Sequence, residues 1–336
     1  MIRTKINTKT ANLPQIGSFK PQNPFFMAPL AGVTDAPTRF IYLNMGAGLV
    51  YSEMVSAKGM HYGDKKSSRL LDILYLDESS HSNVGDVAFQ IFGSDPEIMA
   101  EAAEILDQKE NVLIDVNMGC PVPKVFKNGD GSALLKNPML CSKIISSIKA
   151  RTSKPVTAKI RIGVDSSSIN CTEVAKALEE GGADAICVHG RTREAYYSGK
   201  VDYQRIAEVK ESVNIPVIGN GDIFDIKSCQ RMFDETGVDF VMIARGALGN
   251  PWIFKELNAW WHGESAPLHP TREEIKEMMI YHTKLLVDYK GEKIATNEMK
   301  KHLAWYTKGL AGSNDFRRKI NNINSIKEII EAISSF

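Results

Sequence analysis

Five cysteines occur in the chain, and Cys120 is set apart from the rest by its place. It follows a short apolar run, Val112–Asn117, and is held between Gly119 and Pro121 in the segment Asn117-Met118-Gly119-Cys120-Pro121. A thiol in a loop just past such a run is open to a pocket and available for chemistry. A free cysteine is otherwise a small buried hydrophobe, which suits Cys141, Cys171, Cys187 and Cys229. Other apolar runs end in polar residues of a consistent kind. They supply Glu53, Gln90, Asn117, Lys159 with Arg161, His189 with Arg191, Asn220-Gly221-Asp222 and Ala244-Arg245-Gly246. Amides and cations outnumber acids there, so the collection suits an anionic, hydrogen-bonding ligand better than a sugar or a metal, and no metal site is expected.

Individual positions sharpen this reading. Lys159 and Arg161 are two apart on one run and so point to the same side of a strand. A helix-covered side is a poor place for two cations; the interior of a barrel, facing a ligand, is the better one. Gln90 lies between aromatics in Ala88-Phe89-Gln90-Ile91-Phe92, where a buried amide needs partners. The polar edge of a flat heterocycle would supply them, and so would neighbouring core groups. Asn220-Gly221-Asp222 and Ala244-Arg245-Gly246 each place glycine just after a run. Either alone reads equally well as a turn. Together, after the last two runs, they read as a phosphate site, because glycine lets backbone N–H groups approach an anion closely.

The elements that must position these residues follow from the pattern. Eight short runs rich in β-branched and aromatic residues are bounded by Gly, Pro, Asn or Asp: Pro24–Leu30, Gly48–Met54, Asp86–Phe92, Val112–Asn117, Pro155–Ile162, Ala183–His189, Ile215–Asn220 and Val238–Ala244. Helical patterns such as Pro96–Asp107, Cys171–Glu180 and Tyr203–Ser212 separate them. Nearly continuous apolar strands suit a buried parallel sheet. Eight β-then-α units predict an α/β fold, a closed (β/α)8 TIM barrel, whose active site lies at the C-terminal strand ends. An open doubly wound sheet is the alternative. The expected division is a catalytic barrel over residues 1–255, a linker over 256–270 and a smaller C-terminal helical domain over 271–336. Within that domain Thr271 is a helix cap with Glu274 as its capping-box partner, and helices are expected at Ala295–Lys308, Asp315–Asn321 and Ile323–Ser334. The loop Val122–Leu135, rich in Gly and Lys, is expected to be a mobile lid.

Composition narrows the classes. The 336 residues carry 41 basic and 40 acidic side chains, a net charge of +1, so global charge argues for no nucleic-acid partner. Local charge does: from Lys284 to Lys319 nine basic residues stand against four acidic ones. An odd cysteine count without C-x-x-C argues against a disulfide framework or a zinc site. Met1–Thr10 is polar and basic, without the apolar core of a signal peptide, and no apolar run approaches the ~20 residues of a membrane span. A cytoplasmic enzyme with no membrane association and no protein partner is the expectation.

In several long motifs in the right order, the chain resembles the tRNA-dihydrouridine synthases, in particular their bacterial B-type branch. The motifs are Ala28–Asp35, Asp115-Val116-Asn117-Met118-Gly119-Cys120-Pro121, Gly131-Ser132-Ala133-Leu134-Leu135, His189-Gly190-Arg191-Thr192-Arg193, Gly219-Asn220-Gly221-Asp222, Arg245–Trp252, His302-Leu303-Ala304-Trp305-Tyr306 and Phe316-Arg317-Arg318. The resemblance implies a bound FMN, with Pro29, Leu30 and Ala31 along the isoalloxazine and Gln90 and Lys159 at its polar edge. His189, Asn220, Gly221, Asp222, Ala244 and Arg245 would hold the ribityl chain and phosphate. It further implies reduction of the C5–C6 double bond of a uridine in tRNA: hydride from flavin N5 to C6, a proton from Cys120 to C5, and NADPH or NADH as reductant. A thiol with an ordinary pKa of ~8.5 is mostly protonated at neutral pH and can serve as that acid. A uracil inside folded tRNA must be flipped out to reach it. Asn117, Arg161, Arg191, Arg193, Tyr196, Lys301, Arg317 and Arg318 are the expected tRNA contacts, with Tyr197 and the lid residues Lys124, Lys127 and Lys136 as further candidates.

Two positions depart from the family pattern. Leu30 stands where Met is usual, a volume-conserving change, and Ala244 stands where Gly is frequent, a methyl that would narrow a backbone approach to phosphate. The competing readings are an FMN barrel acting on a free small molecule, a non-redox phosphate-binding barrel with Lys159 as a Schiff-base candidate, and a non-catalytic RNA-binding scaffold. No G-x-G-x-x-G fingerprint is present to separate NADPH from NADH.

Overall fold

The computed structural model describes residues 13–74, 86–265, 267 and 269–336; the polar stretch Met1–Thr10 lies outside the described residues. Among the described residues nine strands run β1 Phe25–Met27, β2 Leu49–Tyr51, β3 Val55–Ser56, β4 Val87–Phe92, β5 Leu113–Met118, β6 Val156–Arg161, β7 Ala185–His189, β8 Val217–Asn220 and β9 Phe240–Ile243. Every ladder between them is parallel. β1 pairs with both β2 and β9, and β2 pairs with β4, so the sheet closes on itself. β3 attaches to the rim of β4 alone. The remaining eight strands are the eight expected runs, and the fold is a (β/α)8 barrel.

Two-residue alternation sorts the strand side chains into two layers. Phe26, Tyr51, Ala88, Leu113, Cys187 and Phe240 belong to one cluster inside the barrel, where Phe26 stacks on Phe240 at 4.9 Å. Their neighbours of opposite parity, such as Phe25, Val50, Phe89 and Ile114, face the helices in a separate, larger cluster. Ile16 and Phe19 join the inner cluster. Gly17 between them lies against Pro155 and Asp184, before the starts of β6 and β7, so this segment closes the barrel floor. Polar capping fixes the helix starts. Asp95 caps Pro96–Asp107, and Asp202 caps Tyr203–Ser212. Asp225 forms a capping box with Ser228, and Thr271 forms one with Glu274 at Arg272–Lys290.

Four helices, Arg272–Lys290, Glu292–Tyr306, Ser313–Asn321 and Ile326–Ser334, form the C-terminal region. They share a core of their own that includes Met279, Leu286, Met299, Leu303, Phe316 and Ile329. The expected boundary at 255/256 falls inside a helix, Ile253–Trp261. Its apolar face carries Trp261 against Phe25 and Phe233, with ring centroids 5.9 and 5.4 Å apart. Asn258 Nδ2 donates to Gly46 O at 2.7 Å. Residues 256–261 are therefore barrel wall, and the connector begins at His262. The region docks on the barrel through buried polar contacts. Lys290 bridges Asp35 and Glu298, each at 2.6 Å. His282 lies 3.3 Å from Thr38 Oγ1 and 3.2 Å from the Tyr306 hydroxyl. Among the described residues no helix is long and apolar enough to cross a membrane.

Candidate active site

The C-terminal strand ends enclose a cavity of about 270 Å³. The strand register explains what lines it. Across the ladders Gln90 pairs with Asp115, Asn117 with Lys159, Arg161 with His189, and His189 with Asn220. With Asn220 paired to Met242, the six strands from β4 to β9 thus bring inward-facing positions to the cavity. All eleven residues expected at a cofactor (Pro29, Leu30, Ala31, Gln90, Lys159, His189, Asn220, Gly221, Asp222, Ala244 and Arg245) line this cavity, together with Cys120, Asn117, Arg161 and Tyr196. Four lining residues had been given no role: Met54, Met242, Ile223 and Phe224. The two methionines are legible only once the barrel is closed. Phe224, half-exposed, follows the Asn220-Gly221-Asp222 loop.

Cys120 is positioned by its own backbone. Asn117 Oδ1 accepts from the N–H of Gly119 at 3.1 Å and of Cys120 at 2.9 Å. On the other side the Cys120 carbonyl accepts from Ser132 Oγ at 2.7 Å and Ser132 N at 3.2 Å. The loop expected to be a mobile lid holds two short helical turns: Pro123–Lys127, which buries none of its residues, and Gly131–Lys136, with Leu134 and Leu135 buried. Burial pushes the Cys120 thiol up, against a backbone hydrogen bond at Val122 and the charge of Arg161. The thiol is therefore held protonated at neutral pH.

The cations are graded by burial. Lys159 is lowered, chiefly by burial, and donates to Asn220 Oδ1 at 3.2 Å. His189 is pushed well below its usual range by burial and then by Lys159, Arg161, Arg191 and Arg245, so its ring is neutral. Asp222, with a left-handed φ of 48°, is held low. Its partial burial opposes this, and the hydrogen bonds and charges of Arg191 and Arg245 overcome it. Arg245 Nη2 reaches Asp222 Oδ1 at 2.6 Å. At Gly246 any side chain is excluded, because a Cβ would stand 2.0 Å from the Ile223 carbonyl oxygen. The two glycine loops therefore pack backbone to backbone.

The expected tRNA contacts separate. Arg161 is buried and donates to Gly119 O at 2.9 Å and to Thr192 O and Tyr196 O at 2.8 Å. Arg191 is buried too, donating to Ser198 O at 2.9 Å, Gly199 O at 2.7 Å and Asp222. Its donors are engaged inside the protein, which places it as a brace for the loop 192–199. Arg193 lies over the Phe126 ring at 4.1 Å. Tyr196 and Tyr197 are exposed at the cavity mouth, and Tyr197 lies 5.0 Å from the Arg245 guanidinium. Lys301, Arg317 and Arg318 lie outside the cavity on the helical region. Lys301 Nζ donates to Gly32 O, beside the Pro29–Ala31 segment. Arg317 donates to Ala304 O at 3.3 Å, and Arg318 is exposed beside Asp315. Among the described residues, no group of three or more His, Cys, Asp and Glu converges to hold a metal ion.

The sequence model of the family described as "Dihydrouridine synthase (Dus)" matches residues 26–335. The chain is 40% identical to the tRNA-dihydrouridine synthase B of Proteus vulgaris, covering 96% of this chain and 98% of that protein. It is 38% identical to the protein of the same name from Escherichia coli K12, with the same coverage. The one from Pasteurella multocida is 38% identical over 96% of this chain and 95% of its own. Among solved structures, morphinone reductase in complex with tetrahydroNAD superposes with a TM-score of 0.52 at 14% identity, over 78% of this chain and 92% of that one. Histamine dehydrogenase from Rhizobium sp. 4-9 superposes with a TM-score of 0.58 at 13% identity, over 82% of this chain and 51% of that longer one. These two share the barrel. The sequence matches run nearly end to end and span the strand ends that line the cavity, and the chain is an enzyme of the dihydrouridine synthase family.

Proposed function

We propose that the cavity binds FMN and that the enzyme reduces the C5–C6 bond of uridine in tRNA, with Cys120 as the proton donor and NADPH or NADH as the reductant. The donor set supports the flavin. Leu30, Met54 and Met242 give apolar walls for a flat ring, Gln90 and Lys159 offer donors to its polar edge, and Arg245 with the two glycine loops suits a phosphate. Reduced flavin, when bound, supplies the hydride. The observation that carries the reading is the Cys120 thiol, held protonated at the wall of this cavity by burial and fixed through Asn117 and Ser132. Lys159 places an amine donor beneath the site, where charge is gained on reduction. Cys120 delivers the proton that quenches the enolate-like charge on the uracil.

The 271–336 helices are proposed to hold tRNA, with Arg318, Lys308 and Lys319 among the exposed cations, and Tyr196 and Tyr197 to stack bases at the mouth. The five cysteines are all free, which suits a cytoplasmic setting. The test is incubation with NADPH and unmodified tRNA, with dihydrouridine mapped by position. Cys120→Ala should keep bound flavin and lose about a hundredfold or more of turnover. Full turnover by that variant would refute the acid role.

A further inference from the structure

A buried carboxylate, Asp115, sits one layer beneath the cavity and takes no part in the chemistry described so far. It is fully buried. Gln90 Nε2 donates to Asp115 Oδ2 at 2.6 Å, and Thr157 Oγ1 donates to Asp115 Oδ1 at 2.5 Å. On its other side Gln90 Oε1 accepts from Asn117 Nδ2 at 2.9 Å. The direction of every bond in this chain is determined. Backbone N–H groups only donate, so the two that meet Asn117, from Gly119 and Cys120, must face its oxygen. That leaves the Asn117 NH₂ to face Gln90 and forces the Gln90 oxygen toward Asn117. The Gln90 NH₂ then faces Asp115, which as a carboxylate only accepts. One Gln90 N–H is bonded to Asp115. The second is the donor of that amide left for the cavity, which Gln90 lines, while the oxygen is turned toward Asn117.

We propose that Asp115 is a positioning residue that locks the Gln90 amide with an N–H, and not its oxygen, toward the cavity, so that this wall accepts only a hydrogen-bond acceptor on the edge of the bound flavin. The inference rests on the flavin reading above. Asp115 acts through Gln90, since it does not itself line the cavity. Without it, Gln90 would keep a buried donor unpaired or turn to satisfy it, and an acceptor edge would then face a poorly placed partner. Tyr51, Lys159 and Cys187 also lie close enough to influence the carboxyl, but the bonds recorded to its oxygens come from Gln90 and Thr157.

The test uses FMN affinity, read by quenching of FMN fluorescence on addition to flavin-free protein. Asp115→Leu and Gln90→Leu should each weaken binding by about tenfold. The double variant should be no weaker than either, because the two losses are one interaction. Asp115→Asn, which retains an acceptor for the amide, should recover most of the affinity. Independently of whether Asp115→Leu folds, wild-type protein labelled with ¹⁵N-glutamine should show FMN shifting one Gln90 side-chain N–H signal, assigned by its loss in Gln90→Leu. A wild type that binds no FMN overturns the flavin reading and this inference with it. A wild type that binds FMN, beside an Asp115→Leu variant of unchanged affinity, overturns the inference alone. So do strictly additive losses in the double variant, or Gln90 N–H signals that FMN leaves unmoved.

Discussion

At the scale of single residues, what a side chain can do is set by how many of its bonds the protein already uses. Arg191 and Arg318 have the same functional group and opposite situations. Arg191 is 3% exposed, with donors on Ser198 O, Gly199 O and Asp222. Arg318 is exposed, beside an equally exposed Asp315, a pairing worth little in water. Removing Arg191 leaves the Ser198 and Gly199 carbonyls without their donor, while Asp222 keeps Arg245, and stranded buried acceptors of this kind cost about 3 kcal/mol together. Arg191→Leu should therefore lower unfolding stability by about that much in urea titrations. Arg318→Ala should leave stability within about 0.5 kcal/mol. In tRNA binding followed against salt, the Arg318 variant should reduce the slope of log affinity on log salt by about one. An Arg191 variant of undiminished stability would show that the brace is not needed. The sequence could not separate these two arginines, because burial depends on which loop closes over a strand end. It could separate lumen from wall. Asp115, Asn117 and Lys159 lie on the same face by two-residue alternation, and Asp115 was readable as an inward residue from Asn117 alone.

At the scale of elements, the cavity is made by register and by close approach of backbones. The strand runs were legible because parallel barrel strands are buried on both sides and read as unbroken apolar stretches. The boundary at residue 255 was not, because Ile253–Trp261 carries a helical pattern directly after the last β/α turn and looks like the start of a connector. The stretch after Cys120 was legible only in part. Gly129, Gly131 and its lysines suggest mobility, whereas Leu134 and Leu135 pin it to the core. Gly246 shows what the glycine loops require. A methyl there would meet the Ile223 carbonyl oxygen at 2.0 Å, so the Asn220–Phe224 loop would have to shift. A strain of about 1–3 kcal/mol at that junction corresponds to about tenfold or more in affinity. Gly246→Ala should thus weaken FMN binding by about that factor, measured by fluorescence quenching, while the reactivity of Cys120 toward a thiol reagent stays unchanged. Unaltered FMN affinity would mean that the two loops do not form one phosphate site.

At the scale of the whole molecule, the barrel and the helical region meet over buried polar groups, which makes their union sensitive to pH. Gly249 permits the contact: it has a left-handed φ of 69°, and a Cβ there would lie 2.2 Å from the Trp305 backbone. Beside it, His282 is buried between Thr38 and Tyr306, its ring 4.4 Å from that of His302. Burial, with Lys301 and Lys290 nearby, lowers His282 from 6.5 to about 4, against the pull of Asp35. On acidification the unfolded chain therefore takes up this proton first, and stability falls as pH drops from about 6.5 toward about 4. The full effect of such a shift is about 3 kcal/mol. Other groups titrate alongside it, Asp35 and Asp115 among them. Asp35 is held low by Lys290, even though burial pushes it up, so its contribution is lost only below the ordinary carboxylate range. Asp115, raised by burial to about 6, protonates first in the folded state and works in the opposite direction. Both are common to the wild type and to His282→Asn, as is His302, which burial also lowers, so the difference between the two proteins reports His282 together with its coupling to His302. Urea titrations between about pH 7 and about pH 4.5 should show the wild type losing about 2–3 kcal/mol relative to the variant. Parallel curves would mean that His282 accepts its proton without leaving the folded interface, and that the contact between barrel and helices is open to water at that point.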